Sequence, residues 1–331
     1  MFLSIIIPHY NIPREMLERC IHSIITQGIP DNEYEIIIVD DASAAPPTWV
    51  TEAGKNIKLI INSHSGPGGA RNKGIKNAAG EYIMFVDADD YLLDNGEILQ
   101  CIDKLKRERP QILRYKYLVT KKEEKIHSKG KSKIKFSNII SGAVFMEKSN
   151  LSGSPCIYFF KRELAIKKNI AFPENIFHED EEFNTILHYH AQTLIDSNAT
   201  LYCYCIRKGS TTANESKEFE KKRISDFIHI IERIHNFAEE NKEKGNTIQA
   251  RAITHKLDML TIDAILNMMY AGMSAKKIIG QCKESFEPIS LYPLRKARYS
   301  FKYRIFRKMA NSLFGMILLR IILPSEKPAK K

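Results

Sequence analysis

The sequence lacks the features that mark zinc modules, exported proteins and repeat proteins. Its six cysteines form no CxxC pair and follow no common zinc spacing, so reduced core thiols are expected. The apolar run at residues 2–7 ends at Pro8 and follows no basic segment. It is therefore expected to be a buried strand, not a signal peptide or a membrane span. There is no internal repeat, and the composition, 44% apolar and 27% charged, is typical of a globular protein.

Positive charge is concentrated in two segments. Residues 104–135 and residues 291–331 each carry a net charge of +10, and subtracting both from the total of +11 leaves the rest of the chain at −9. Such blocks favour contact with an anionic surface over a continuous nucleic-acid groove, so no nucleic-acid partner is expected. In the second segment, apolar residues recur every three or four positions among basic ones. This pattern predicts a basic amphipathic helix on a membrane surface, and a helix packed on the protein body is the alternative.

The order of apolar runs predicts an α/β fold. Strand-length runs at residues 3–7, 35–39, 58–61 and 81–86 alternate with helical patterns, which indicates a Rossmann-like, mostly parallel sheet flanked by helices. Further strands are expected at 110–119, 157–160 and 201–206. From about residue 216 the pattern is helical. The predicted parts are two halves of an α/β domain, 1–95 and 96–215, and a C-terminal helical extension, 216–331.

Aspartates follow two of the predicted strands. Asp40 and Asp41 end the second strand, and Asp87, Asp89 and Asp90 follow the strand at 81–86. The carboxyl ends of parallel strands meet at one edge of a sheet, where ligands bind. Because a buried carboxylate must be paired or bound to a metal, the second group suggests a cation site completed by phosphate oxygens. The alternative for each group is a turn in which the aspartates bond to nearby backbone or cap a helix.

Two further segments carry candidate functional residues. Residues 65–74 are expected to form a glycine-rich loop that leads into a helix. The segment lacks the ending of a P-loop, but its glycines permit close approach and the helix N-terminus favours anions. Arg71 is expected near a bound base or phosphate, whereas Lys73 is either a contact or a solvated helix residue. Four acids at residues 179–182 precede a helical pattern, and an acidic first helical turn is the alternative to a catalytic role.

Five segments together resemble the inverting glycosyltransferases of family 2, which have the GT-A fold. They are residues 4–11, 38–43, 69–74, 85–90 and 178–180, in the family's order and spacing over roughly residues 1–210. The resemblance implies a metal-dependent, hexosyl-type transferase that moves a sugar from a nucleoside-diphosphate sugar, with a UDP-sugar expected. The implied acceptor is a glycan or a lipid-linked molecule in cell-surface polysaccharide synthesis. The implied location is the cytoplasm, peripheral at the inner face of the plasma membrane.

The same resemblance implies roles for individual acids. Asp87 and Asp89 would hold Mn²⁺ or Mg²⁺ at the diphosphate, with Asp89 the more direct ligand. Asp90 would bind the metal through water or cap a helix. Asp180 would be the base that takes the acceptor proton, and Glu179 is the reserve candidate. The donor-binding set comprises Pro8, Tyr10, Asn11, Asp40, Asp41, Arg71, Asp87, Ala88 and Asp89.

The resemblance has one mild departure and leaves other possibilities open. Ala42 stands where the family usually has glycine. Residues 210–212 resemble a segment that closes over the donor phosphates, and a plain surface loop is the alternative. Two other functions also remain open, namely a nucleotide-sugar-binding protein without catalysis and a sugar-nucleotidyltransferase.

Overall fold

A computed structural model describes residues 1–121, 133–149, 151, 153–207, 216–242, 247–297 and 300–323. The chain forms two compact units. The first comprises Met1–Phe145 and Ser152–Ser210, and the second comprises Met146–Leu151 and Thr211–Lys331. The predicted division of the chain at residues 95 and 215 stays a prediction.

In the described residues of the first unit, eight strands form one mixed sheet. They are β1 (Leu3–His9), β2 (Tyr34–Asp40), β3 (Ile57–Ile61), β4 (Tyr82–Phe85), β5 (Tyr91–Leu92), β6 (Ile112–Thr120), β7 (Tyr158–Lys161) and β8 (Leu194–Cys205). Their spatial order is β3-β2-β1-β4-β7-β6-β8-β5. Strands β3, β2, β1 and β4 run parallel, as does the pair β6 and β8, whereas β4–β7, β6–β7 and β5–β8 are antiparallel. The predicted α/β class is confirmed, with a parallel arrangement on the side of the sheet that holds the aspartates.

Helices cover this sheet because its central strands are apolar on both faces. Every residue of β2 is buried, and so are six of the seven residues of β1. A strand of this kind requires packing on both sides, which is typical of parallel sheets. The helices of the first unit are α1 (Arg14–Ile25), α2 (Gly66–Asn77), α3 (Glu97–Glu108), α4 (Gly142–Lys148, which continues into the second unit), α5 (Arg162–Lys167) and α6 (Glu179–His190).

The predicted glycine-rich loop at residues 65–74 is wrong, because α2 begins at Gly66 and contains the other glycines. A Cβ added at Gly68 would lie 2.7 Å from the carbonyl oxygen of Pro173, and one added at Gly74 would overlap the side chain of Ile6. These glycines therefore permit close packing of α2 against β1 and against the segment before α6. Close packing outweighs the low helix propensity of glycine, which costs about 1 kcal/mol per residue.

The second unit is helical in the part that the structure describes, which confirms the predicted C-terminal helical extension. Its helices are α7 (Lys217–Glu240), α8 (Ile248–Tyr270), α9 (Ala275–Ser285), α10 (Phe301–Ala310) and α11 (Leu313–Ile322). The hydroxyl of Ser312 caps α11 by accepting the Gly315 N–H at 3.1 Å, so the amphipathic segment forms two helices. No helix among the described residues combines the length and the apolar character that crossing a bilayer requires.

Candidate active site

The carboxyl ends of β1, β2 and β4 meet at one edge of the sheet. His9 at the end of β1 lies beside Asp40 at the end of β2 in the parallel register. On the other side of β1, strand β4 is followed by the turn at residues 87–90, closed by a hydrogen bond from the Asp90 N–H to the Asp87 carbonyl at 3.0 Å. The two groups of aspartates that the sequence predicts to converge thus lie at the same edge.

Arg71 links the acidic turn to α6. From α2, its Nη2 donates to Asp87 Oδ1 at 2.9 Å and its Nη1 donates to Glu179 Oε1 at 2.9 Å. The arginine side chain is 7% exposed. Asp87 and Glu179 are 92 residues apart in the chain, so this bridge brings the predicted metal site and the predicted base region together.

The charges around Arg71 keep it ionised. Burial alone lowers the pKa of the guanidinium, but the carboxylates of Asp87 and Glu179 together raise it above its ordinary value. Burial raises the pKa of Glu179, and the Arg71 charge opposes that effect. Arg71 Nε is buried and has no hydrogen-bond partner among the described residues.

Asp89 and Asp90 are held by different parts of the chain. Arg207, two residues after β8, donates from Nε to Asp89 Oδ2 at 2.7 Å, and Arg19 donates to the Asp89 carbonyl at 2.6 Å. Asp90 is 1% exposed and accepts the Cys205 N–H at 2.7 Å on one oxygen and the Tyr202 hydroxyl on the other. The expectation that Asp90 caps a helix is wrong, because β5 follows it and its carboxylate fastens the turn to β8. Burial raises the pKa of Asp90, as do the charges of Asp87 and Asp89.

Within the described part of the chain, Asp87 and Asp89 each have one carboxylate oxygen that no protein group contacts. Their side chains are 34% and 22% exposed, and each has an arginine on one oxygen and no partner on the other among the described residues. Ala88 between them is buried. Carboxylate oxygens are the ligands that Mg²⁺ and Mn²⁺ prefer. No cluster of three or more His, Cys, Asp or Glu suited to a metal occurs in the described ranges. Two carboxylate oxygens are fewer than a divalent cation requires, so a cation at this site would take its remaining ligands from phosphate or water.

Asp180 lies in the first turn of α6 beside Glu179. Its Oδ1 accepts the Glu181 N–H at 3.0 Å. Burial raises the pKa of Asp180 well above its usual value, and the charges of Glu179 and Glu181 raise it further. All four acids of residues 179–182 occupy the first turn, as the alternative reading of this segment expects. The contact with Arg71 nevertheless places this acidic turn at the edge of the sheet that carries Asp87.

Asp41 occupies the N-terminus of α2. Its carboxylate accepts the N–H groups of Ser65 and Gly66, both at 2.8 Å, and lies 3.0 Å from His64 Nδ1. The Asn62 amide donates to the same carboxylate at 3.3 Å. The helix N-terminus predicted to attract a donor phosphate thus already has an anion, and that anion is an aspartate of the protein. A donor-binding role for Asp41 stays a prediction.

Asp40 is also saturated by the protein. It is 0% exposed, and it bonds to His9 Nδ1 at 2.8 Å and to the Ser43 N–H at 3.1 Å. The turn that follows contains Ala42 at φ 63°, the position where glycine is usual in the family that the sequence resembles. A donor-binding role for Asp40 also stays a prediction.

Pro8, Tyr10 and Asn11 lie at and just beyond the end of β1. Tyr10 is 50% exposed and its ring is 4.9 Å from that of His64. The Asn11 amide oxygen accepts the Ala44 N–H at 3.0 Å, which joins the loops after β1 and β2. An exposed aromatic ring at this edge is available to stack on a base, so the predicted role of Tyr10 remains compatible with the structure.

Some residues considered from the sequence lie outside the site, and two arginines that were not considered contact it. Lys73 is exposed on α2, as expected of a solvated helix residue. Residues 210–212, with Lys208 and Gly209 before them, lie outside the described residues. Conversely, Arg19 and Arg207 contact the acidic turn although neither was predicted as a site residue. Arg207 lies two residues after the last strand, so the argument from strand ends could have identified it. Arg19 lies within α1 and carries no such signal.

The chain is similar in sequence to known proteins over part of its length. Residues 4–165 match the profile of the family described as Glycosyl transferase family 2. A poly(ribitol-phosphate) beta-glucosyltransferase of Bacillus spizizenii is 41% identical over 99 residues, which is 28% of this chain. The chain spans only 15% of that relative's length.

Two solved structures share the fold. Staphylococcus aureus TarS, residues 1–349 in complex with UDP-GlcNAc, superposes with a TM-score of 0.69 at 21% identity, covering 97% of this chain and 90% of that one. The mannosyltransferase PcManGT of Pyrobaculum calidifontis, in complex with GDP-Man and Mn²⁺, gives a TM-score of 0.54 at 15% identity, covering 97% and 87%. At these identities the likeness shows the fold.

Proposed function

We propose that this chain, whose residues 4–165 match the model of glycosyl transferase family 2, transfers a sugar from a nucleoside-diphosphate sugar to an acceptor hydroxyl. The observation that carries the proposal is the bridge from Asp87 through Arg71 to Glu179, next to Asp180. It joins a site suited to a diphosphate with a carboxylate suited to remove a proton. A UDP-sugar is the proposed donor, because the TarS structure contains UDP-GlcNAc. The proposed acceptor is a glycan or lipid-linked polymer of the cell surface, because the Bacillus relative acts on a poly(ribitol phosphate).

The proposed reaction is a single displacement with inversion. The acceptor oxygen forms a bond to the anomeric carbon of the donor sugar while Asp180 takes the proton of the acceptor hydroxyl. On the opposite face of that carbon, the bond to the diphosphate breaks and its electron pair leaves with the nucleoside diphosphate. Mn²⁺ or Mg²⁺ at Asp87 and Asp89 would neutralise the charge of the leaving diphosphate. Arg71 and Arg207 hold these two carboxylates in position.

The test of this proposal is the variant Asp180→Asn. Removal of a general base lowers a rate by about 10²–10⁴-fold, so transfer should fall by that factor. Release of nucleoside diphosphate from UDP-glucose and UDP-GlcNAc, with Mn²⁺ and poly(ribitol phosphate), measures it. Donor binding, followed by the thermal shift on adding UDP-GlcNAc and Mn²⁺, should be unchanged. Asp103→Asn, at an exposed site on α3, is the matched control.

Three outcomes would contradict parts of the proposal. Transfer at the wild-type rate by the Asp180→Asn variant would rule out this base. Donor binding by the wild-type chain without any release of nucleoside diphosphate would favour a binding protein. Release of pyrophosphate from a nucleoside triphosphate and a sugar phosphate would favour a nucleotidyltransferase.

The pH dependence of transfer offers a second check on Asp180. A base acts only when it is deprotonated, and burial, Glu179 and Glu181 raise the pKa of Asp180 in the folded protein. Activity should therefore fall as the pH drops through this raised pKa. The acidic limb of kcat/KM is expected at a higher pH than for an ordinary aspartate. A limb in the ordinary aspartate range would contradict the proposed environment of this carboxyl group.

We also propose that α10 and α11 bind the surface of an anionic membrane on its cytoplasmic side. Seven of the sixteen large apolar side chains that are exposed among the described residues lie on these two helices. They are Phe301, Ile305, Leu313, Phe314, Ile317, Ile321 and Ile322. The opposite face packs within the second unit through Tyr303, Ala310, Met316 and Leu319. One face of these helices is therefore packed, and the other face is open to solvent.

Charge complementarity favours a lipid surface as the occupant of this face. A groove of about 980 Å³ along α10 is lined by Phe301 and Ile305 together with four cations, Lys296, Arg304, Arg307 and Lys308. Apolar side chains beside a row of cations match acyl chains beside phosphate groups. Helices of this type lie in the plane of the membrane interface.

Vesicle binding tests this second proposal. The wild-type chain should sediment with phosphatidylglycerol vesicles, bind phosphatidylcholine vesicles less, and dissociate as salt increases. The double variant Phe314→Glu with Ile321→Glu should bind at least about tenfold less, because two inserted apolar groups are lost. The double variant Ile61→Glu with Ile166→Glu, at exposed apolar positions of the first unit, should bind like the wild type. Equal binding by both double variants, or self-association through this face without lipid, would contradict the proposal.

A further inference from the structure

Gly153 lies against the acidic first turn of α6. A Cβ built on Gly153 would come within 2.8 Å of the Glu181 Cδ and 3.4 Å of Asp180 Oδ2. Any residue other than glycine therefore places a side chain beside the carboxylate that is proposed to take the acceptor proton. In the structure the Glu181 carboxylate occupies this position, and the Asp180 carboxylate lies beside it.

A hydrogen bond from Asn184 holds Gly153 in this position. It lies one helical turn after Asp180 on α6 and is fully buried. The Tyr158 hydroxyl donates to Asn184 Oδ1, and Asn184 Nδ2 donates to the Gly153 carbonyl. Burial raises the pKa of Tyr158, so its hydroxyl keeps the proton that this arrangement requires. With Oδ1 occupied by Tyr158, the amide N–H₂ must face Gly153.

Further hydrogen bonds hold α6 at the position of Asn184. His188 Nδ1 lies 2.8 Å from the Asn184 carbonyl, and Arg114 Nη1 lies 3.3 Å from His188 Nε2. Because arginine only donates, Nε2 accepts and Nδ1 carries the proton that is donated to the carbonyl. Arg114 is buried, and its guanidinium lies 4.5 Å above the ring of Phe145. A buried polar network of this kind restricts α6 to one position, since moving it would leave several polar groups unbonded.

We infer that Gly153 forms the acceptor-side wall of the active site and that Asn184 is the positioning residue that holds this wall beside Asp180. The inference rests on the proposed function, since it assigns the space next to Asp180 to the acceptor hydroxyl. In this arrangement the missing side chain at Gly153 leaves room for the Glu181 carboxylate. A side chain at Gly153 would displace that carboxylate within the space next to the base that a sugar or polyol hydroxyl would enter. The donor is proposed to bind at Asp87 and Asp89, so donor binding is expected to be independent of Gly153.

The variant Gly153→Ala tests the wall. The Glu181 carboxylate is the end of a flexible side chain and can move aside, so the variant is expected to fold, which thermal unfolding checks. The KM for poly(ribitol phosphate) should rise, or transfer to it should fall, by at least about tenfold. The thermal shift with UDP-GlcNAc and Mn²⁺ should stay at the wild-type level. Gly280→Ala is the matched control, because an added Cβ there meets no atom within 4 Å.

The variant Tyr158→Phe tests the positioning role separately. It removes the donor to Asn184 Oδ1 and adds no atom beside Asp180. The ratio of transfer to hydrolysis should fall by a few fold, about the value of one hydrogen bond, while donor affinity is kept. A purely structural role would lower transfer and hydrolysis together.

The outcomes separate the inference from the proposed function. If the wild-type chain transfers and a folded Gly153→Ala variant keeps both the wild-type acceptor KM and kcat, the wall assignment is wrong. If Gly153→Ala does not fold, an unchanged transfer-to-hydrolysis ratio in Tyr158→Phe overturns the positioning role. If the wild-type chain transfers to no acceptor, the proposed function itself fails.

Discussion

The two strands that flank β1 both end in aspartates, yet the structure surrounds the two groups differently. Asp40 and Asp41 are 0% and 3% exposed, and all their carboxylate oxygens bond to groups of the protein. Asp87 and Asp89 are partly exposed, and each bonds to an arginine through one oxygen. The first pair therefore belongs to the internal bonding of the fold. The second pair can accept a cation without depriving a buried N–H group of its acceptor.

The variant Arg71→Met should have the largest effect on stability, because it removes the guanidinium that bonds to Asp87 of the second pair. Asp87 and the buried Glu179 would lose their shared partner, and breaking a buried ion pair costs about 3–5 kcal/mol. Chemical denaturation measures the loss in free energy of unfolding. Arg14→Met, which breaks an exposed pair with Glu18, is the control and should cost about 0.5 kcal/mol or less. Equal losses in the two variants would mean that the Arg71 bridge does not stabilise the fold.

The variant Asp89→Asn should affect activity but not stability. Weakening the proposed cation site should lower transfer on the order of 10²–10³-fold, whereas the partly exposed pair with Arg207 contributes at most about 1 kcal/mol. Transfer assays over a Mn²⁺ titration, together with unfolding curves, separate the two effects. Asp103→Asn again serves as the control. A large loss of stability with unchanged transfer would mean that Asp89, like Asp40 and Asp41, serves the internal bonding of the fold.

The variant Asp41→Asn should show the reverse behaviour. An amide nitrogen at one of the two oxygens would face the donors that now bond to Asp41, and an unsatisfied buried group costs about 1–3 kcal/mol. The midpoint of chemical unfolding should fall, while the variant Asp31→Asn, at an exposed position, should not change it. If stability is kept and UDP-sugar binding is lost instead, Asp41 is a donor ligand and the contrast between the pairs disappears.

The variant Ala42→Gly should have the smallest effect. Ala42 follows the first pair at φ 63°, a conformation that glycine adopts without strain. Relief of this strain, partly offset by the greater freedom of glycine in the unfolded chain, should stabilise the protein by about 0.5–1 kcal/mol. The melting temperature is the measurement. A decrease would indicate that the turn after the first pair is not strained.

The pattern of residue types along the chain predicted the strands that carry the site residues better than it predicted the contacts of those residues. The strands that precede Asp40 and Asp87 were predictable, because a strand buried on both faces appears in the sequence as a continuous apolar run. The glycine segment was mistaken for a loop, because glycine disfavours helices locally and only the packing against Ile6 and Pro173 explains its presence. The hydrogen bonds of Asn184 to Gly153 and Tyr158 had no local signal at all.

The sequence by itself determined the family resemblance, the parallel strands and the acids at their ends, since these depend on residue type and spacing along the chain. Only the tertiary structure decided which acids are saturated and which keep an open oxygen. The reason is that hydrogen-bond partners come from distant segments. Arg71 reaches Glu179 across 108 residues and Arg207 reaches Asp89 across 118. Burial and bonding of a carboxylate, not its presence after a strand, separate a helix cap from a cation site.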